Sequence, residues 1–192
     1  MRFLLRPFLQ SLLLLLAISS PALFQGCAGY RIGSEKPTAL REIQTLAVPN
    51  FHNITLEPRL ESLTANALVR QLQQDGTYRV SAERDADAIV QGTLQQIVRT
   101  PLRGSGRDFF RTAEYSLEFV TQVVVTRRST GETLLQRTFR GKTSFVVSQT
   151  SSQASALNDL RTSDVNADER QAFPRVASDL AVQITSALSE GW

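Results

Sequence analysis

Cys27 is the only cysteine in the 192-residue chain, and its thiol can serve as the nucleophile that accepts a diacylglyceryl group. Gly26 precedes it, an apolar stretch lies at residues 12–18, and Arg2 and Arg6 stand near the start of the chain. A positive segment, an apolar segment and then a small residue before a cysteine are typical of a bacterial lipoprotein signal peptide. The apolar stretch is too short to cross a hydrocarbon core of about 30 Å. We therefore expect cleavage before Cys27 and lipidation of its thiol.

Most of the usual catalytic patterns are absent from the sequence. His52 is the only histidine, so neither a two-histidine metal site nor a Cys-His dyad can form. Nucleophile-elbow, Walker-type and dinucleotide-binding motifs are also missing. Gly104-Ser105-Gly106 does not lie between a strand and a helix, as a phosphate loop should. Glu114 and Glu118 fit a solvated strand face better than a glycosidase pair. We expect no enzyme and no cofactor other than the covalent lipid on Cys27.

The mature chain is nearly balanced in charge. Removal of residues 1–26 leaves 166 of the 192 residues, which suits one compact domain. It also takes Arg2 and Arg6 away from the 21 Lys and Arg, so 19 remain against 18 Asp and Glu. That balance argues against a nucleic-acid partner. Ala28, and not an aspartate, follows Cys27, which favours sorting to the outer membrane with the body of the protein in the periplasm.

Two amphipathic helices are predicted. The first spans about residues 56–74, with Thr55 as its N-cap, Pro58 in its first turn and Asp75-Gly76 as its C-terminal stop. Its apolar stripe consists of Leu56, Leu60, Leu63, Ala67, Leu68 and Leu72. The stripe of the last helix consists of Phe173, Val176, Leu180, Ile184 and Leu188. Pro174 indicates either the regular start of this last helix or a kink within it.

The strand pattern predicts an antiparallel hairpin as the centre of a sheet. Strands are expected over residues 43–48, 78–81, 88–99, 113–127 and 134–147. Apolar and polar residues alternate most clearly in 113–127, and the turn at 128–132 has Gly131 available for a positive φ. The fold class that follows is α+β. We expect a two-layer sandwich, with two helices packed on one face of a mostly antiparallel four- to five-stranded sheet.

The chain divides into three parts on these grounds. Residues 1–26 form the signal peptide, 27–41 a lipidated tether and 42–192 a single domain. Within that domain, the segment at about 148–166 is rich in small polar residues and lacks aromatic ones, so we expect a mobile loop.

Several short sequence segments, in their order and spacing along the chain, resemble those of one known family. They are Cys27-Ala28-Gly29-Tyr30-Arg31; residues 43–51 followed by Asn53, Glu57-Pro58 and Leu60-Glu61; residues 86–92; and Thr130-Gly131-Glu132. Together they are similar to the outer-membrane lipopolysaccharide-assembly lipoproteins, the LptE group, over most of residues 27–147 and the last helix. The resemblance implies an accessory subunit that sits as a plug inside a large outer-membrane β-barrel. It also implies a role in barrel assembly and binding of lipopolysaccharide.

An arginine-rich segment between the two long strands is the candidate contact surface. Its residues are Arg99, Arg103, Arg107, Phe109, Phe110 and Arg111. Lipid A carries phosphates beside acyl chains, and arginines beside aromatic side chains suit both chemically. Two other interpretations stay open. The segment contacts only the barrel wall, with its aromatic residues as anchors, or it is an ordinary charged loop at the ends of two strands.

A second class of function also fits the sequence. The short strand that ends at Val48-Pro49-Asn50-Phe51 and leads into a helix is similar to curli-secretion lipoproteins. In that interpretation the chain is a structural subunit that assembles with copies of itself, and residues 148–166 become ordered in the oligomer. An envelope lipoprotein with an unspecified partner is a third possibility.

Overall fold

The computed structural model describes residues 36–105, 108–147 and 162–190, with side chains except at 104, 105, 108–113 and 162–165. The strands are β1 (Thr45–Ala47), β2 (His52–Asn53), β3 (Arg79–Val80), β4 (Ala88–Ser105), β5 (Asp108–Arg127) and β6 (Thr133–Val146). The helices are α1 (Leu60–Asp75) and α2 (Thr162–Ser189), and a short 3-10 turn at Thr38–Leu40 precedes them. No helix among these residues is long and apolar enough to cross a membrane.

The sheet is mixed and, in the described residues, has six strands. The strand order is β3-β1-β4-β5-β6. The short strand β2 also pairs with β4, along the side of β4 that pairs with β1. β4, β5 and β6 are antiparallel, whereas β1 is parallel to β3 and β4, and β2 is parallel to β4. The α+β class with two helices is confirmed, but the expectation of a mostly antiparallel sheet of four to five strands was wrong. Parallel neighbours require a crossover connection, and α1 lies within the connection from β1 and β2 to β4.

Both helices pack on one face of the sheet. Buried residues of α1 and α2 form one cluster with Val90, Val123, Val125 and Phe139 from the three long strands. All five residues of the predicted α2 stripe are buried. A second cluster joins Leu60 and Phe173 to Leu117 and Phe119 further along the hairpin. Burial of these apolar surfaces is the main source of stability for a chain of this kind.

The start of α1 differs from the prediction. The helix begins at Leu60, and its N-cap is Arg59, which has a left-handed backbone with φ 68°. Thr55 and Pro58 therefore lie in a loop ahead of the helix, and Leu56 is fully exposed on that loop. The predicted C-terminal stop is confirmed. Gly76 has φ 75°, and its N–H donates to the Leu72 carbonyl at 3.0 Å.

The long hairpin and α2 both extend further than predicted. β4 continues to Ser105 and β5 begins at Asp108, so most of the segment predicted as a loop is paired backbone. Helix α2 begins at Thr162 and contains Pro174 in its interior, which means that residues 162–166 of the predicted mobile loop are helical. The remainder of that loop, 148–161, lies outside the described residues.

Helix α2 also covers the middle of the edge strand β6. The N–H of Lys142 donates to Asp179 Oδ2 at 2.8 Å, and Gln183 Nε2 donates to the Arg140 carbonyl at 2.9 Å. The close approach depends on Gly141, because a Cβ there would lie 2.6 Å from Leu180 Cβ and from the Val176 carbonyl oxygen. An exposed strand edge is a template for pairing with other chains. These two helical side chains occupy that edge.

Candidate functional site

The predicted contact residues are distributed over the far half of the β4–β5 hairpin. Arg99 and Arg103 lie on β4, and Phe109, Phe110 and Arg111 lie on β5. Cys27 and Arg107 lie outside the described residues, and so do the side chains of the three β5 residues. The described side chains that bear on the site are therefore those of Arg99 and Arg103 and of the residues around them.

Arg99 is held in an ion-paired cluster. Its Nη2 lies 2.6 Å and its Nε 2.7 Å from Oε1 of Glu169 on α2. The carboxylate of Glu57, in the loop before α1, is 3.7 Å from the same Nη2. The hydrogen bond that Arg99 donates to Glu169 raises the pKa of Arg99 above its usual value, and the charges of both carboxylates add to that effect. Arg99 thus joins the hairpin, α2 and the loop before α1.

Glu169 and Glu57 are the partners that sequence reasoning did not identify. The Glu169 side chain is only 6% exposed, whereas that of Arg99 is 42% exposed. A carboxylate so deeply buried needs a cation and hydrogen bonds to remain charged. Glu169 is separated from Arg99 by 70 positions in the chain, so no local pattern indicates the pair. The Arg99 side chain stays partly exposed although its carboxylate partner is buried.

Arg103 lies beside a bulge in β4. Pro101 pairs with Tyr115 and Arg103 pairs with Glu114, so Leu102 is an extra residue with no position opposite it on β5. A bulge interrupts the strict alternation of side chains between the two faces of a sheet and redirects them. Leu102 and Arg103 are both exposed. The bulge therefore places an apolar and a cationic side chain next to each other in solvent.

The loop before α1 is fixed by the side chain of Asn53. Asn53 Oδ1 accepts from the Thr55 N–H at 3.0 Å and from Thr55 Oγ1 at 2.7 Å. Asn53 Nδ2 donates to the Glu57 carbonyl at 2.7 Å and to Glu61 Oε2 at 3.1 Å. The pKa of Glu61 is lowered, first by a backbone hydrogen bond at Glu61 itself and second by the hydrogen bond that Asn53 donates. The loop therefore has one defined conformation.

This fixed loop ends in a strained residue and displays apolar side chains. A left-handed backbone costs a residue with a Cβ about 1–2 kcal/mol, and Arg59 adopts it at φ 68°. Leu56 is completely exposed and Ile54 is 58% exposed. The sequence pattern assigned Leu56 to the buried stripe of α1. The Asn-x-Thr sequence ahead of it, which favours a local side-chain turn, was the available signal for a loop.

A cleft between two turns lies elsewhere. It has a volume of about 360 Å³ and is lined by residues of the Thr38–Leu40 turn and of the β5–β6 turn. Arg127, one of the lining residues, makes long ion pairs with Glu42 and Glu132 at 3.4 and 3.3 Å. Arg127 pairs with Ala88, at the opposite end of β4 from Arg103. This cleft is therefore not part of the arginine-rich site.

Two comparisons with known sequences bear on the site. The LptE family model, described as lipopolysaccharide-assembly, matches residues 43–188. That range contains all six strands and nearly all of both helices. No curated protein sequence matches the chain.

Solved structures of several bacterial proteins, some of them named as lipoproteins, are similar to this chain in fold. The minor lipoprotein from Acinetobacter baumannii is 18% identical, with 77% of this chain and 93% of that one covered and a TM-score of 0.45. The PelC dodecamer from Paraburkholderia phytofirmans is 13% identical, with 83% and 96% covered and a TM-score of 0.46. The rare lipoprotein B from Shewanella oneidensis is 14% identical, with 75% and 95% covered and a TM-score of 0.40.

Proposed function

The chain belongs to the LptE family of lipopolysaccharide-assembly proteins, and from that membership we propose an outer-membrane lipoprotein that binds lipopolysaccharide beside a large β-barrel. In this proposal it acts without catalysis, as the plug and assembly partner of the barrel. The observation that carries the proposal is the extent of the family match, residues 43–188, which includes the core of the domain and the whole described hairpin.

The far half of the hairpin is the proposed lipopolysaccharide contact. Arg103 is exposed beside Leu102, and Arg107 and Arg111 follow in the sequence. Guanidinium groups bind phosphate oxygens through paired, charge-assisted hydrogen bonds, which are about twice as strong as neutral ones. Arg99 contributes as a positioning residue, because Glu169 and Glu57 already occupy its guanidinium. Phe109 and Phe110 are proposed as apolar contacts, with the ligand or with the barrel wall.

The proposed anchor is a lipid on Cys27. Lys36, where the described structure begins, is nine positions after Cys27, and nine extended positions can span at most about 32 Å. Two or three acyl chains on one residue hold a protein stably at a membrane, whereas a single chain does so only reversibly. The described end of this tether packs on the domain, since Leu40 is buried in the core. The domain would therefore stay close to the membrane surface.

Co-purification from membranes tests this function. The full-length protein with a C-terminal tag is expressed in its host, extracted in mild detergent and captured, and the eluate is analysed for proteins and lipopolysaccharide. We expect one large β-barrel at one-to-one stoichiometry, together with lipopolysaccharide. A homo-oligomer without a barrel would contradict the proposal and support a self-assembling secretion subunit.

Two variants test the lipid anchor and the lipopolysaccharide contact separately. Cys27→Ala should release the protein from washed membranes if the lipid is the anchor. Arg103→Glu should reduce the lipopolysaccharide in the eluate without loss of the barrel. Arg70→Glu makes the same charge change at an exposed position of α1 and serves as its control. Equal lipopolysaccharide with both arginine variants would remove Arg103 from the proposed site.

A further inference from the structure

The far half of β4 has one open side. β1 pairs with β4 at Ala88 and Ile89, and β2 pairs with it at Thr93 and Leu94. Beyond Leu94, no strand among the described residues pairs with β4 on this side, whereas β5 continues along the other side. An unpaired side of a strand is a template for the addition of another strand. We name residues 96–101 of β4 the open edge.

The free backbone groups of the open edge belong to Ile97 and Arg99. In an antiparallel pair of strands, opposite residues alternate between those that bond to each other and those whose N–H and C=O point away. The Leu94 carbonyl accepts from the Ile54 N–H at 3.1 Å, so Leu94 and its opposite residue Thr121 are of the second kind. The β5 positions opposite Ile97 and Arg99 lie two and four residues before Thr121. The N–H and C=O groups of these two β4 residues therefore also point away from β5.

Two features limit the open edge to a short length. At one end, Ile54 and β2 already occupy this side of β4 as far as Leu94. At the other end, Pro101 has no N–H to donate and Leu102 forms the bulge, and both features limit the pairing of edge strands. Four strand steps separate Ile97 from Pro101, about 13 Å. The open edge therefore fits a short extended segment better than a long strand such as β4 of a second copy, which has 18 residues.

The charges and apolar groups beside the open edge favour one kind of segment. Arg99 contacts the carboxylates of both Glu169 and Glu57, so one cation faces two anions and this cluster has a net charge of −1. Glu57 is the more weakly held of the two, at 3.7 Å. Ile54 and Leu56, which precede Glu57 in the same loop, are both exposed. A basic residue next to an apolar one complements this arrangement.

From these observations we propose that the open edge pairs with a short extended segment of the partner barrel, and that this segment carries a basic residue next to an apolar one. The inference rests on the proposed function and adds the place at which the barrel holds this chain. The strands of a closed barrel have no free edge, so the segment belongs to a loop or a terminus of the barrel. It forms backbone hydrogen bonds with Ile97 and Arg99, as in other cases of β-strand addition, and its basic side chain lies beside Glu57.

Amide hydrogen exchange tests this pairing directly. The full-length lipoprotein is compared free in detergent and in the complex captured from membranes, and exchange is read at single residues by mass spectrometry. We expect the N–H groups of Ile97 and Arg99 to exchange at least about tenfold more slowly in the complex. Thr138 is the matched control. It lies on the other edge strand, β6, two residues before Arg140, whose carbonyl also points away from β5. The exchange of its N–H should not change.

Two substitutions test the hydrogen bonds and the charge separately. Ile97→Pro removes one donor from the open edge, and Thr138→Pro removes an equivalent donor from β6. Glu57→Lys reverses the charge beside the open edge, and Glu83→Lys makes the same change at an exposed position near the opposite end of β4. We expect Ile97→Pro and Glu57→Lys each to reduce the amount of captured barrel about fivefold, and the two controls to match the wild type. Urea unfolding identifies any variant that has lost stability, and for such a variant the exchange of the wild-type complex decides.

The outcomes separate this inference from the proposed function. If no barrel is captured, the proposed function fails and the inference fails with it. If the barrel is captured but Ile97 and Arg99 exchange as fast as in the free protein, the inference is wrong and the proposed function stands. Slow exchange of both N–H groups in the free protein would show that the chain itself covers the open edge. Equal slowing at Thr138 would show a general shielding of the sheet. Either of these last two results would also overturn the inference.

Discussion

Arg99 Nη2 lies 2.6 Å from Oε1 of Glu169, and this contact joins the middle of the long hairpin to the first turns of α2. The carboxylate is buried while the guanidinium is partly in solvent. The same guanidinium reaches Glu57 in the loop that displays Leu56. Three elements that are distant in sequence therefore share one cation. We expect the far half of the hairpin, the proposed lipopolysaccharide contact, to depend on that cation for its position.

Loss of the Arg99 side chain should destabilise the domain. Arg99→Gln leaves the buried Glu169 carboxylate without its cation. Removal of one partner from a fully buried pair costs about 3–5 kcal/mol, and we expect about 1–3 kcal/mol here because Arg99 is partly exposed. Urea unfolding of the purified protein measures this difference.

The double variant Arg99→Gln with Glu169→Gln distinguishes a positioning role from ligand contact. It removes both charges together, so no buried charge is left unpaired, and we expect most of the lost stability to return. Lipopolysaccharide affinity should return with it. Recovered stability with persistently weak affinity would show that Arg99 itself contacts the ligand.

Asp87 should make the fold sensitive to acid. Hydrogen bonds from the backbone N–H groups of Gln44 and Thr45, at 3.0 and 2.9 Å, lower the pKa of Asp87 from 3.8. The folded state therefore favours the charged carboxylate of Asp87. Its contribution to the free energy of unfolding is complete above about pH 4 and is lost as the pH falls through the lowered pKa. Asp87→Asn should reduce stability at pH 7 and have a smaller effect at pH 2.5. An equal difference at both pH values, measured by urea unfolding, would contradict this assignment.

Gly141 should tolerate no larger residue. A Cβ at this position meets Leu180 and the Val176 carbonyl at 2.6 Å, so Gly141→Ala must push α2 away from β6. We expect a loss of about 1–3 kcal/mol. We also expect concentration-dependent association, because the edge groups covered by Asp179 and Gln183 become accessible. Thermal unfolding and sedimentation measure the two effects. Ser144→Ala, at an exposed position of the same strand, should show neither.

Thr121 is a position where a substitution should stabilise the protein. Its side chain is fully buried on β5, and its Oγ1 has no hydrogen-bond partner within the described residues. Burial of a hydroxyl without a partner costs about 1–3 kcal/mol, so Thr121→Val should raise the melting temperature. Thr138→Val, at an exposed position of β6, should change it little. A lower melting temperature for Thr121→Val would show that the hydroxyl is satisfied by a buried water molecule.

Local patterns in the sequence identified the helices and the core of the hairpin. The stripe of α2 follows a 3.6-residue period through Leu188, and Gly76 ends α1 as its conformational freedom predicts. The short strands β1 and β3 were also expected, within 43–48 and 78–81, but their parallel pairing was not. β1, β2 and β3 have two or three residues each and exist because of their partners in the sheet, so their parallel arrangement has no local signal. In the Ala86-Asp87-Ala88 segment, the Asp87 carboxylate accepts hydrogen bonds from the backbone N–H groups of Gln44 and Thr45 at the start of β1.

The candidate site could be predicted only in part. The arginine spacing from Arg99 to Arg111 is visible in the sequence, but the strand pairing around it is not, because apolar alternation stops near Arg99 while backbone pairing continues. The partner of Arg99 is remote in sequence. Leu56 is in phase with the helix stripe, and only the contacts of Asn53 show that it belongs to a loop.

Site-specific crosslinking in living cells tests the central claim most directly. A photo-reactive residue replaces Arg103 in the full-length lipoprotein, and the same residue replaces Arg70 in a control strain. After irradiation, the captured protein is probed for covalently attached lipopolysaccharide. The account predicts a lipopolysaccharide adduct at position 103 and none at position 70. The absence of an adduct at position 103, or equal adducts at both positions, would contradict the assignment of the hairpin as the lipopolysaccharide contact.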